Sequence, residues 1–155
     1  MGQRTESSAH AAGPELQPLE AFVGEWKTDG AIRASGARAA ATMDAHDVYE
    51  WIPGGYFLLH RWDAHLPDGD TQGVEVIGLD RSTGLFFMRS FDSEGNAGEM
   101  QASASGVNWT FTSESLRFTG GVRDNGDTFS GLWELRSEEG AAWVPWMDIT
   151  LHKVT

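Results

Sequence analysis

The period of the hydrophobic pattern changes once along this chain of 155 residues. Within 14–23, Leu16, Leu19, Phe22 and Val23 recur at helical spacing, Pro18 suits a first turn, and Gly24 ends the run. That pattern predicts one N-terminal helix. After Gly24, apolar and polar residues alternate in short runs rich in Val, Thr and aromatics. Ten strands are predicted, at about 25–34, 41–52, 56–66, 71–80, 85–92, 97–104, 107–113, 115–123, 127–136 and 142–153. The turns between them, among them Pro53-Gly54-Gly55, Asp68-Gly69 and Asn125-Gly126, carry residues that tolerate the positive φ of hairpins.

Strands at this spacing form an up-and-down antiparallel meander. Ten open strands would leave two unpaired edges, so the expected fold is all-β, a closed antiparallel barrel of about ten strands. Such a barrel is wider than the eight-stranded kind that side chains fill, so it should enclose a cavity, with the helix at one end. Residues 1–13 read as a disordered tail and 14–155 as a single domain.

One hairpin identifies the inside. A two-residue Gly54-Gly55 loop pairs Trp51 with Leu58, Tyr49 with His60 and Asp47 with Trp62, and it extends the same face to Tyr56. The opposite face pairs Asp44 with His65 and His46 with Asp63, and it sets Glu50 diagonal to Arg61, which is what a solvated face carries. The aromatic face is therefore expected to point inward. Across Asp68-Gly69, pairing Leu66 with Thr71 would put Glu75 opposite Trp62 and add Ile77 to the inner face. Beyond residue 80 the parity is open, and either Phe86, Met88 and Ser90 or Phe87, Arg89 and Phe91 face inward.

Composition narrows the function. The net charge of -12 argues against nucleic acid and anionic membrane surfaces, which need a surplus of basic residues. The absence of cysteine excludes disulfides, thiolate metal sites and a cysteine nucleophile. No secretory signal and no run long enough to span a membrane is evident, so a cytoplasmic protein is expected. Seven tryptophans are many for this length. Trp26, Trp109, Trp133, Trp143 and Trp146 are all placed in strands, either as core or as the wall of an aromatic pocket.

Candidate chemistry centres on Tyr49, His60 and Glu75. A histidine tuned by a carboxylate in an apolar pocket can exchange protons with a bound molecule, and the same trio can simply satisfy itself or anchor a ligand. No pair of histidines converges, so no metal is expected. The expected ligand-binding residues are Asp47, Tyr49, Trp51, Tyr56, Leu58, His60, Trp62, Glu75 and Ile77, holding a small apolar or aromatic molecule. The rival is an isomerase or cyclase with His60 or Glu75 as base and Tyr49 as acid. A homodimer through outer-face aromatics such as Phe57 is a further expectation.

The stretch Leu19-Glu20-Ala21-Phe22-Val23-Gly24-Glu25-Trp26 resembles the helix-then-Gly-x-Trp opening of lipocalin-like (calycin) barrels. Taken with Trp51-Ile52-Pro53-Gly54-Gly55-Tyr56-Phe57-Leu58, Phe91-Asp92-Ser93-Glu94-Gly95, Arg117-Phe118-Thr119-Gly120 and Gly131-Leu132-Trp133-Glu134, the chain resembles a bacterial family of domain-of-unknown-function proteins over roughly 14–154. The resemblance implies a ten-stranded barrel and assigns no activity. Nitrobindins, which are haem-binding barrels, are distantly similar. Their G-x-W-x-G-x-G signature is matched by Gly24-Glu25-Trp26-Lys27-Thr28-Asp29-Gly30, with Thr28 in place of the middle glycine. Their iron-binding histidine lies near the start of the last strand, where Trp146 stands here, and His152 comes several residues later. No haem and no other cofactor is expected on that alignment.

Overall fold

The computed structural model describes residues 10–154. Ten strands follow one 3-10 helix, Pro14–Phe22. They are β1 (Gly24–Ile32), β2 (Ala41–Trp51), β3 (Phe57–Leu66), β4 (Gly69–Asp80), β5 (Leu85–Asp92), β6 (Ala97–Ser105), β7 (Asn108–Thr112), β8 (Leu116–Arg123), β9 (Thr128–Leu135) and β10 (Val144–Lys153). Each strand pairs antiparallel with the next, and β1 pairs with β10, so the barrel closes and leaves no edge. Among the described residues no helix is long and apolar enough to cross a membrane.

Inner and outer faces sort as the alternation predicts. On β1, Trp26, Thr28, Gly30 and Ile32 are buried while Lys27, Asp29 and Ala31 are exposed. On the β2–β3 hairpin, Trp51 pairs with Leu58, Tyr49 with His60 and Asp47 with Trp62. Arg61 lies outside on Glu50 at 3.3 Å. His46 and His65 are outside too, although they lean away from the β2–β3 ladder, towards Glu25 and Asp70. The turn closing this hairpin is longer than expected. Just past the end of β2, the Ile52 N–H donates to Phe57 O, and four residues loop between them. Tyr56 belongs to that loop and is 53% exposed, so it is not an inner-wall residue.

The β3–β4 turn is tighter than expected. Leu66 pairs with Gly69 rather than Thr71, because Gly69, at φ 136, resumes the ladder directly after Pro67-Asp68. The slip is two residues, so faces are kept, and Glu75 comes opposite His60 rather than Trp62. At the next turn Asp80 accepts hydrogen bonds from the Ser82 N–H and hydroxyl, and Leu79 pairs with Phe86. Phe86 and Met88 are therefore inside, while Phe91 stands half in solvent outside.

The helix closes one end. Its first turn begins at Pro14, and Pro18 sits inside the element rather than at its start. Leu16, Leu19 and Phe22 are almost wholly buried against Trp26, Trp51, Leu58, Ile77 and Trp109. Indole donors fasten it: Trp26 Nε1 donates to Phe22 O at 2.8 Å and Trp51 Nε1 to Glu20 Oε2 at 3.1 Å. The same carboxylate accepts the Ala11 N–H, and the Ala12 N–H donates to Gly55 O. The expected tail, residues 1–13, lies outside the described residues over 1–9, and from His10 to Gly13 the chain runs along the β2–β3 turn. A side chain at Gly55 would strike His10 O at 1.9 Å.

One indole departs from its expected setting. Trp143 precedes β10 rather than lying in a strand, and it stacks on the outside between the guanidinium groups of Arg117 and Arg136.

Candidate functional site

The helix fills only the end of the barrel it enters. Towards the opposite end the interior holds a cavity of about 190 Å³. Its wall comes from β1 to β3 (Thr28, Met43, Ala45, Asp47, Tyr49, His60, Trp62, Ala64) and from β7, β9 and β10 (Phe111, Phe129, Trp133, Met147, Ile149, Leu151). Small residues behind the wall leave room for its side chains. Gly30 is one, since a Cβ there would come within 2.6 Å of Met43. Gly73 is another, because the Trp62 ring lies over it so closely that a Cβ would meet Cζ2 at 2.3 Å. Directly beyond the cavity along the strands lies a rim hollow of about 570 Å³, bordered by Ile32, Arg38, Leu66, Thr71, Leu135 and Trp146. A larger groove of about 650 Å³ crosses the outer face of β6 to β10, far from the buried ionisable groups.

The polar part of the cavity wall is one hydrogen-bonded cluster. His60 Nε2 meets Asp47 Oδ1 at 2.6 Å and His60 Nδ1 meets Glu75 Oε1 at 3.0 Å. Thr28 Oγ1 donates to Asp47 Oδ2 at 2.5 Å. Tyr49 stacks flat on the imidazole, with ring centroids 4.0 Å apart and planes 5° apart. Strand pairing dictates this: Tyr49 and Glu75 are His60's two cross-strand partners, and Asp47 is two residues from Tyr49 on the same face.

Burial by itself lowers the His60 pKa. The hydrogen bonds to Asp47 and Glu75 and the charges of both carboxylates overcome it and raise the value to about 9. At neutral pH His60 is an imidazolium with both N–H groups donating to carboxylates. Burial first, then the charges of Asp47 and Glu75, holds the Tyr49 hydroxyl well above its ordinary range. The cluster therefore keeps Tyr49 neutral and leaves His60 without a free lone pair.

The residues expected from the sequence divide into four groups. Asp47, Tyr49, His60 and Trp62 meet at the cavity. Glu75 stands behind His60, bonded to it but outside the wall. Trp51, Leu58 and Ile77 face inward but lie in the packed end under the helix, and Tyr56 is in solvent. Of the other wall residues, Met43, Ala45 and Ala64 share the inward face of the β2–β3 hairpin that the sequence reading anchored, and the rest fall on strands with unanchored parity, apart from Thr28. Thr28 was detectable, since it follows Trp26 in the alternation of β1.

Haem, implied by the nitrobindin similarity, does not suit these residues. His46, His65 and His152 lie outside, beside Glu25, Asp70 and Asp29, and His60 has both nitrogens engaged. Trp146 stands at the rim hollow. Among the described residues no histidine offers the interior a free nitrogen for iron.

Residues 11–138 match the family model described as "Protein of unknown function (DUF1579)", and the chain belongs to that family. No curated protein matches it. The crystal structure of Rv2717c from M. tuberculosis is similar at 18% identity, with a TM-score of 0.64 over 92% of this chain and 99% of that one, which shows a shared fold. A designed protein titled a fluorescence-activating beta barrel overlaps more loosely, at 11% identity and a TM-score of 0.43 over 86% of this chain and 94% of that one.

Proposed function

We propose that this lipocalin-like barrel binds one small apolar or aromatic molecule in the open half of its interior. The observation that carries the reading is the cavity of about 190 Å³, walled by Trp62, Phe111, Phe129 and Trp133 with a single polar cluster on one side. Aromatic walls with a few convergent polar groups are the usual make-up of a small-molecule site. An engineered apolar cavity of about 150 Å³ takes benzene, so this volume suits a molecule of one or two rings. On this reading the small molecule is the partner, nucleic acid and membrane are not, and the setting is the cytoplasm.

The rival reading, an isomerase or cyclase, receives less support. A general base needs a lone pair, and His60 has both nitrogens bonded to carboxylates. Tyr49, held well above its ordinary range, is a poor acid, and Glu75 lies outside the cavity wall.

Native mass spectrometry of freshly purified protein tests the proposal by the mass of a retained molecule. Tryptophan fluorescence follows, because Trp62 and Trp133 line the cavity. Quenching by a one- or two-ring compound, lost in Trp62→Ala, is expected. The absence of both a retained mass and a response to any panel compound would overturn it.

A further inference from the structure

The same cavity has a sign of charge. Two carboxylates, Asp47 and Glu75, flank a single imidazole, and no lysine or arginine lines the cavity. The cluster thus sets two acidic groups against one basic group, in a setting that screens charge poorly. The rim has the same sign: Asp68, Asp70 and Glu94 border the outer hollow against one cation, Arg38. The rings add to this, because an aromatic face is the negative side of its quadrupole. Asp47 also keeps acceptor capacity. Its two oxygens take one bond each, from His60 and Thr28, and a carboxylate accepts about four.

Resting on the ligand-binding reading above, we infer that the molecule held in the cavity is a small organic cation, an amine or quaternary ammonium. Its charged nitrogen faces Asp47 within the cage of Trp62, Phe111 and Trp133. Anions such as fatty acids and phosphates are disfavoured, because the one basic group in the wall, His60, already has both nitrogens on carboxylates and has none left for an anion. The aromatic cage suits the alkyl groups of an ammonium as well as its charge. The acidic rim draws cations towards the mouth.

The test compares probes of equal shape on the unaltered full chain. Choline and 3,3-dimethylbutan-1-ol differ in a charged nitrogen against a carbon, and benzylamine, benzyl alcohol and benzoate form a second series. Calorimetry and tryptophan fluorescence are expected to show each cation binding at least tenfold tighter than its neutral counterpart, with benzoate weaker than both. Glu75→Gln should narrow the cation preference severalfold, and thermal melting checks that this variant is folded. Neutral probes binding as tightly as cations would overturn the charge inference and leave the ligand-binding reading standing. Failure of every probe, with no retained molecule in native mass spectrometry, would overturn both.

Discussion

The two ends of the barrel interior are built from the same strands and solved differently. At the helix end, Leu16, Leu19 and Phe22 enter from outside the sheet and meet Trp51, Leu58, Ile77 and Trp109. Phe22 alone stacks near Tyr49, Trp109, Phe111 and Phe129, with centroids 4.8 to 6.3 Å away. At the other end no such segment enters, and Met43, Trp62 and Trp133 remain half-buried around open space. Ten strands are too many for wall residues alone to fill the interior. The helix makes up the missing volume where it reaches, and the ionisable cluster sits where it does not. The lesson is a division of labour: one end supplies cohesion, the other a charged, accessible hollow.

The comparison breaks most sharply at Phe22. Phe22→Ala removes the filling from the packed end and should cost about 3–5 kcal/mol, read by denaturant unfolding. A cost below about 1 kcal/mol would mean the plug is not what holds that end together.

The cluster gives the next largest effect, through pH. His60 has a folded-state pKa raised from 6.5 to about 9. Its contribution is fully present below pH 6.5 and is lost as pH rises through about 9. The loss should amount to about 3 kcal/mol between those limits. Unfolding free energies measured across that window should fall in the wild type and fall less in His60→Phe, where His65 beside Asp70 still titrates. An NMR titration midpoint near 6.5 for the His60 ring itself would contradict the cluster as described.

Gly73→Ala sharpens the comparison from the hollow side. The new Cβ would meet the Trp62 ring at 2.3 Å and the Phe91 carbonyl oxygen at 2.6 Å, so both the indole and the neighbouring β5 backbone must shift, at a cost of about 1–3 kcal/mol. Trp62 emission should shift and ligand-induced quenching should fall. Trp143→Ala is a control outside both ends. It removes only the stacking with Arg117 and Arg136, about 0.5–1 kcal/mol, and cavity binding should be unchanged.

How much of this was legible can be followed on single residues. The alternation around Gly54-Gly55 placed Trp51, Tyr49, Asp47, Leu58, His60 and Trp62 on one inward face, with the observed partners. Glu75 was assigned to the right face at a register two residues off, because face is a matter of odd and even while turn length is not. Tyr56 was misread because a four-residue loop, not a two-residue one, closes that hairpin. Asp47 was seen as a polar inner residue, but its grip on His60 was not. That bond needs the side chains of two strands to lean towards each other, which no spacing records.

The pair Trp51 and Trp62 marks the limit. From the sequence alone the two are equivalent in orientation: same hairpin, same face, two same-face steps apart along the strands. In the structure Trp51 is sealed beneath the helix and bonded to Glu20, while Trp62 borders the hollow. The sequence by itself determined the strands, their alternation and hence which side chains face inward, because period two is a local property of the backbone. Depth along the barrel axis was decided only by the tertiary structure. It depends on where the β1–β10 seam closes and how far the helix enters, and both are set by contacts between residues far apart in the chain.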